Sequence, residues 1–365
     1  MSERNNFEDM YCFRVTTGST LGAIVPADTS AFNDPSHQAD AFVSGDNGVT
    51  GDTNMGVTTG VYGLPLTNHP NMDFGQSQIV QRKALGQSYQ DAQAGREFLI
   101  STRFPVTTWE FDVTYKNIAP FLWALFQNGS AQGGSATYTK VFSPYTEGNT
   151  TEVHLALCRV MSTQVGSNNS HLFGGCIVDS ITFTGEEGQP LKASVSLIGY
   201  NGVSDFDFGG SANICSYDTT APLMFQDAAF SVAGTAVNIP SFNITITNNA
   251  RPAFYDSKHP VKYVYGDINA TGSFQLPWAQ ATVGGNVELN KYIAGTSSEF
   301  KAMWGSGNDP VDTACDFMIT AESRYMGMPV GGDDETILDC SFTGAYSTNK
   351  AVEVSVVDSL DRGIT

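Results

Sequence analysis

The chain has 365 residues, with 37 acidic against 18 basic side chains and a formal net charge of −19. Charged residues are only 15% of the total, so the acidity belongs to a folded surface and not to a disordered acidic tail. Phosphate binding needs clustered Lys and Arg, and the densest basic grouping is the pair Arg82–Lys83, which argues against nucleic-acid affinity as the main activity.

In chain order, "MYCFRVTTGSTLGAIV" (Met10 to Val25) alternates as a strand does. Residues 26–75 then offer Gly, Asp, Asn, Thr and Pro with little periodicity, interrupted by single large apolar residues. That pattern predicts a long loop or extended arm that lies on a partner. "TTWEFDVTY" places Trp109, Phe111, Val113 and Tyr115 on one face of a strand. "NIAPFLWALFQNG" follows as a short helix, with Pro120 near its start and Gly129 as its stop. "TEVHLALCRVMST" (Thr151 to Thr163) reads as a strand. "GCIVDSITFTGEEGQPLKASVSLIGY" reads as a hairpin, with Ile177, Ile181 and Phe183 on one arm and Leu191, Ala193, Val195 and Leu197 on the other.

A Gly/Ser/Asp-rich bridge from Asn201 leads into the second half. Strands are expected on both sides of Ile239–Pro240, and another pair within "YVYGDINATGSFQLPW". "SSEFKAMWGSG" (Ser297 to Gly307) carries a serine cap, an early Glu and a closing Gly, which predicts a second short helix. "DFMITAESRYM" reads as a strand, and "ETILDCSFTGAYSTNKAVEVSVVD" as a closing hairpin.

The halves agree in order. "FTGEEGQPLKASVSLIG" (Phe183 to Gly199) aligns without a gap on "FTGAYSTNKAVEVSVVD" (Phe342 to Asp358), setting Gly185 on Gly344 and Val195 on Val354. "FLWALFQNG" corresponds in place to "EFKAMWGSG". An internal duplication is the expectation, with modules at residues 1–203 and 204–365.

Motifs of catalysis do not emerge. There is no nucleophile elbow, phosphate loop, dinucleotide fingerprint or zinc helix. His154 lies in a strong strand and reads as structural. "GDNGVTGDTN" (Gly45 to Asn54) lacks the alternating Asp/Asn pattern and final Glu of an EF-hand. The six cysteines lie at no metal-ligand spacing and read as buried thiols. Trp109, Trp123, Trp278 and Trp304 occupy core-like positions rather than a sugar platform. The expectation is therefore no enzyme, no cofactor and no metal. "MSERNNFEDMYC" holds no apolar signal core and no run is long enough to span a bilayer, so a cytoplasmically made protein is expected, its sequons at Asn149, Asn243 and Asn269 being chance matches.

"GGCIVDSITFTGEEGQPLKASVSLIGYN" resembles the signature hairpin of the tail tube proteins (major tail proteins) of long-tailed bacteriophages. "FQDAAFSV", "FNITITNNARPAFYDSKHPVKYVYGDINATGSFQLPW" and "WEFDVTYKNIAPFLWALFQNG" are similar to the larger, two-module members, so the resemblance covers roughly residues 98–357. It implies a mainly β fold of two tandem β-barrel or sandwich modules, each flanked by a short α-helix, with the arm at 26–75 reaching an adjacent ring. It also implies a structural virion protein whose stacked rings form a hollow tube for DNA ejection. With the duplication, a homotrimer with pseudo-hexameric symmetry is the ring expected. Implied partners are further copies of the chain and the tape-measure, tail-tip and tail-terminator proteins, with DNA passing without sticking. Assembly is expected in the host cytoplasm.

An acidic lumen would repel DNA, and the candidate channel-lining acids are Asp179, Glu186, Glu187, Asp339 and Glu353. Two other readings stay open at this stage: a virion decoration or receptor-binding β protein, and a β-rich glycan hydrolase.

Overall fold

The structure, a computed structural model, describes residues 10–18, 62–80, 98–127, 130–133, 138–144, 152–160, 170–206, 216–217, 220–257, 259–278, 285–305, 317–331, 336–344 and 351–358. The first half holds β1 (Met10–Gly18), β2 (Tyr62–Gly63), β3 (Gln76–Val80), β4 (Phe98–Arg103), β5 (Val106–Asp112), β6 (Ser130–Gly133), β7 (Tyr138–Phe142), β8 (Glu152–Val160), β9 (Ser170–Glu186), β10 (Lys192–Ile198), β11 (Asn201–Phe206) and β12 (Ser216–Tyr217), with α1 (Ala119–Phe126) after β5. The second half holds β13 (Ala228–Val232), β14 (Thr235–Val237), β15 (Ser241–Thr247), β16 (Arg251–Ala253), β17 (Lys262–Val264), β18 (Asn269–Pro277), β19 (Ser297–Trp304), β20 (Phe317–Gly327), β21 (Val330–Gly331), β22 (Ile337–Gly344) and β23 (Val352–Asp358), with α2 (Gly285–Ala294) after β18.

An antiparallel run of six strands, β5–β10–β9–β15–β18–β22, forms the centre. Three of these strands come from each half of the chain, and the seam between the halves is the seven-residue pairing of β9 with β15, from Ser241↔Glu186 to Thr247↔Ser180. β20 continues the sheet beyond β22, followed by β19 and β13. β9 is 17 residues long because it serves two sheets. Its first part pairs with β8 and β11, and its second with β10 and β15. The change of direction comes at a bulge: Ser196 faces Ser180 but Leu197 faces Val178, which leaves Asp179 as the extra residue.

Strict alternation drives the apolar side chains of these strands to one side. Trp109 and Phe111, Ile181 and Phe183, Phe242 and Ile244, and Phe274 and Leu276 are all buried. Phe242 lies at the heart of this core, its ring 5.7–6.2 Å from those of Phe225, Phe230, Phe300 and Trp304. Burying each such ring stabilises by about 1.5–3 kcal/mol, with about 0.5–1.5 kcal/mol more for each well-placed ring pair.

All eight residues of α1 are buried, with Pro120 in the first turn. The helix stops at Gln127, not at the expected Gly129: Gln127 takes a left-handed conformation with φ of 51°. Its side-chain amide donates to the carbonyls of Ala124 and Val153 and accepts from the Val153 N–H, so a polar side chain closes the helix where glycine was expected.

Two readings of the second half are corrected. Ser297–Trp304 is a strand, paired along its whole length with β20. Ser298, Phe300, Ala302 and Trp304 all face the core, a period of two that the helix-like end signals at Ser297 and Gly307 obscured. The second helix is instead Gly285–Ala294. The closing segment is also not a hairpin, because β22 and β23 lie one after the other along the same edge of β20. The ungapped alignment of Phe183–Gly199 on Phe342–Asp358 therefore matches strands that differ in place. β10 lies between β5 and β9, and the strand in the corresponding position between β18 and β20 is β22. The two strands expected within "YVYGDINATGSFQLPW" are β17 and β18; β17 pairs with β16, and β18 with β15 and β22.

Residues 26–61 of the expected arm lie outside the described residues. Residues 64–74 run beside β5, where the Thr67 N–H donates to the Glu110 carbonyl (2.8 Å) and Asp73 pairs with Val106.

Candidate functional site: the polar face of the central sheet

The side of the central sheet opposite the core carries a lattice of small polar residues, fixed by the same alternation that buries the aromatics. Reading across β10, β9, β15, β18 and β22, one row is Lys192, Thr184, Asn243, Ser273 and Ser341. The next is Ser194, Thr182, Thr245, Thr271 and Thr343. None of these residues is buried.

These side chains bond sideways to one another. The Thr182 and Thr245 hydroxyls meet at 2.9 Å across the seam, and Asn243 Nδ2 donates to Thr184 Oγ1 at 3.1 Å. Ser241 Oγ donates to Gln275 Oε1 (3.2 Å), and Gln275 Nε2 donates to Asp339 Oδ1 (3.0 Å). Cross-strand pairs of this kind stiffen a sheet by roughly 0.2–1 kcal/mol each. They also engage donors that would otherwise be available to a phosphate.

The five acids named from sequence fall in different places. Glu186 and Asp339 share one row, Glu186–Ser241–Gln275–Asp339, three strand spacings or about 14 Å apart, and both are exposed. Glu187 is exposed in the turn after β9, next to Gly188, whose φ of +74° suits the tight reversal closed by Gln189 N–H to Glu186 O. Asp179 occupies the bulge, partly buried. Loss of hydration raises its carboxyl above the usual range, and the Ala250 backbone amide that hydrogen-bonds it works in the opposite direction. Glu353 lies apart, on β23 opposite Thr320 of β20.

Two acids of this face were not singled out from sequence. Glu110 is exposed and Asp112 partly buried on β5, opposite Ser194 and Lys192. The alternation that put Trp109, Phe111 and Val113 inside already assigned them outward. On the six strands the face thus carries four carboxylates, Glu110, Asp112, Glu186 and Asp339, against one ammonium, Lys192. Between them it is hydroxyl and amide, a more neutral surface than an acid-lined wall.

His154, read as structural, is buried with its ring 6.2 Å from that of Tyr263. Among the described residues, no group of three or more His, Cys, Asp or Glu is placed to hold a metal ion, and no helix is long and apolar enough to cross a membrane.

A wide, weakly acidic, hydroxyl-covered β face backed by a continuous aromatic core defines a structural β protein built around an extended sheet. The family model described as phage tail tube protein matches residues 10–344. The chain belongs to that family: it is a structural tail tube protein, a component of the virion tail that assembles with copies of itself. A comparison with curated proteins finds no match.

Proposed function

We propose that the polar face of the central sheet is the inner wall of the tube and that three chains close each ring. The observation that carries this reading is the seam between β9 and β15, which joins the two halves edge to edge in one sheet. The halves resemble each other in strand adjacency. In the first, β8 pairs with β9, β9 with β10 and β10 with β5; in the second, β19 pairs with β20, β20 with β22 and β22 with β18. α1 follows β5 as α2 follows β18. This order supports two modules, residues 1–203 and 204–365. The division after Val203 falls inside β11, and the pairing of that strand with β9 supports counting all of it with the first module.

Each module offers four adjacent strand positions: residues 64–74, β5, β10 and β9 in the first, and β15, β18, β22 and β20–β21 in the second. Three chains supply twenty-four. At a spacing of about 4.8 Å and a tilt of about 40°, such a barrel measures roughly 50 Å between opposite backbones, wider than a DNA duplex. Genomic DNA passes through without adhering because the wall offers net negative charge, laterally bonded hydroxyls and little cationic charge. Repulsion from Glu110, Glu186, Asp339 and their symmetry copies reaches about one Debye length, ~8–10 Å. Asp179 and Glu187 contribute at the margins of this wall, while Glu353, on β23, lies apart from it. Further partners are the tape-measure, tail-tip and tail-terminator proteins, met during assembly in the host cytoplasm.

Electron microscopy of the purified protein, with averaged end views, tests this reading. Hollow stacked rings with threefold symmetry and six similar lobes are expected. Rings of six chains would overturn the three-chain closure and with it the account of the two modules as ring segments.

A further inference from the structure

We infer that the outer edge of β20–β21, at Met328 and Val330, is the surface on which the next copy of this chain docks, and that the segment it receives is that copy's residues 64–74. The inference rests on the tube reading and specifies its chain-to-chain contact.

The template lies inside the chain. β9 is flanked by β10, and its opposite edge receives β15. β20–β21 is flanked in the same way by β22, through Tyr325↔Phe342 and Val330↔Leu338. On its opposite edge the pairing with β19 ends at Ser297↔Arg324, and the described residues supply no strand beyond that point. The Asp339 N–H donates to the Pro329 carbonyl at 3.0 Å, which turns Pro329 toward β22. In an antiparallel ladder the flanking residues then direct their N–H and C=O the other way. Met328 and Val330 therefore direct backbone groups outward that meet no partner strand among the described residues. The missing N–H of Pro329 falls on the inner side, where it does not interrupt this edge. Met326 and Val330 are 66% and 50% exposed beside it. An open strand edge with apolar side chains is an association hazard unless a partner covers it.

The receiving segment is recognisable by the same correspondence. β15 pairs with β18 on one edge and offers the other to β9. Residues 64–74 lie against β5, the counterpart of β18, through Thr67 and Asp73. They alternate as a strand does: Leu64, Pro70 and Met72 are buried while Pro65, Thr67, His69, Asn71 and Asp73 are exposed. Their exposed side chains extend the polar face by one strand. Thr67 and Asp73 turn their backbone groups toward β5, so the alternate residues between them face the open edge; there Pro70 removes a donor, which keeps this edge from pairing indiscriminately and limits it to a short contact. Joining one chain's last position to the next chain's first is a head-to-tail contact of the kind that closes a ring.

Hydrogen–deuterium exchange on the full chain, as dispersed monomers and as assembled tubes, tests the assignment. Amides in 326–331 and 64–74 are expected to slow on the order of tenfold or more on assembly, while those of the β9–β15 seam are protected in both states. The variant Val330→Pro removes one outward donor; it is expected to keep the monomer's circular dichroism and melting curve and to lose rings. Tubes in which 326–331 exchanges as fast as in monomers, or normal tubes from Val330→Pro, would overturn the docking assignment and leave the tube intact. Absence of hollow rings from the wild-type chain would overturn the tube reading and this contact with it.

Discussion

Asn248 donates from Nδ2 to the carbonyl of Leu125 at 2.7 Å, across 123 residues of sequence. Leu125 is in the last turn of α1, where carbonyls lack intrahelical donors. The Asn248 backbone N–H meanwhile donates to the Asp179 carbonyl at 2.8 Å, beside the β9 bulge. One buried residue at the end of β15 thus fastens the helix of one half to the seam between the halves. Replacing it by alanine leaves a buried carbonyl unpaired, at a cost of about 1–3 kcal/mol. Urea unfolding of Asn248→Ala should show a lower midpoint with an unchanged slope.

Gly185 faces Phe242 across the seam. A Cβ there would come within 2.4 Å of the Phe242 ring and 2.9 Å of Phe225. Gly185→Val is expected to destabilise by about 1–3 kcal/mol or more, because the two rings cannot both retreat within a packed core. Thermal melts of this variant beside a Gly188→Ala control separate crowding from backbone strain. The Gly188 site is open space at positive φ, so its substitution should cost only about 1 kcal/mol.

A buried polar cluster joins α2 to the sheet. Glu288 is fully buried, paired with Lys291 at 2.7 Å, and accepts from the Tyr325 hydroxyl. Burial, followed by the Glu288 charge, raises the Tyr325 phenol well above its usual range; burial raises the Cys340 and Cys176 thiols likewise. The unfolded chain releases these protons from about pH 9 for thiols and about pH 10 for the phenol, while the folded chain retains them. Fewer protons bound in the unfolded state means that stability falls as pH rises, by up to about 1.4 kcal/mol per pH unit for each group. Denaturant titrations between about pH 8 and 11 should show this loss, and Cys176→Ala should reduce its slope.

Placing cations on the proposed wall tests whether its lack of cationic charge would keep DNA from adhering. Thr182→Lys with Thr245→Lys puts two ammonium groups side by side at the seam in every chain. Tubes of this variant should hold duplex DNA, with affinity falling on the order of thousandfold between about 50 and 200 mM salt. Fluorescence anisotropy with labelled duplex measures it. Wild-type tubes that bind equally tightly would refute the proposed wall.

The strands with one buried face were legible because alternation is local. Trp109, Phe111 and Val113 were placed inside from spacing alone, and the β9–β10 hairpin was recognised from its arms and turn. Ser297–Trp304 was misread because serine, glutamate and glycine are helix-end residues, and a short apolar run fits either period. The misplaced repeat has a similar cause: alternating Val and Ser in "ASVSL" and "EVSVV" match wherever two such strands are compared. The pairing of β9 with β15, and with it the assembly of the polar face, depends on contacts some sixty residues apart that no local pattern encodes. Glu110 and Asp112 were available to the alternation argument but stood in no charged cluster that would draw notice.

The double membership of β9 gives the molecule a mechanical load path. Force applied to the sheet of β8 and β11 reaches the sheet of β10 and β15 along a continuous covalent chain, with no need to cross a layer of side chains. Side chains in contact slip gradually, whereas a strand clamped along both edges holds until many hydrogen bonds yield together. The extra residue at Asp179 is where this span turns, and it is held there by the Asn248 N–H on its carbonyl and the Ala250 amide on its carboxyl. A pull along the chain would thus be carried by 17 residues of continuous backbone through a pinned corner.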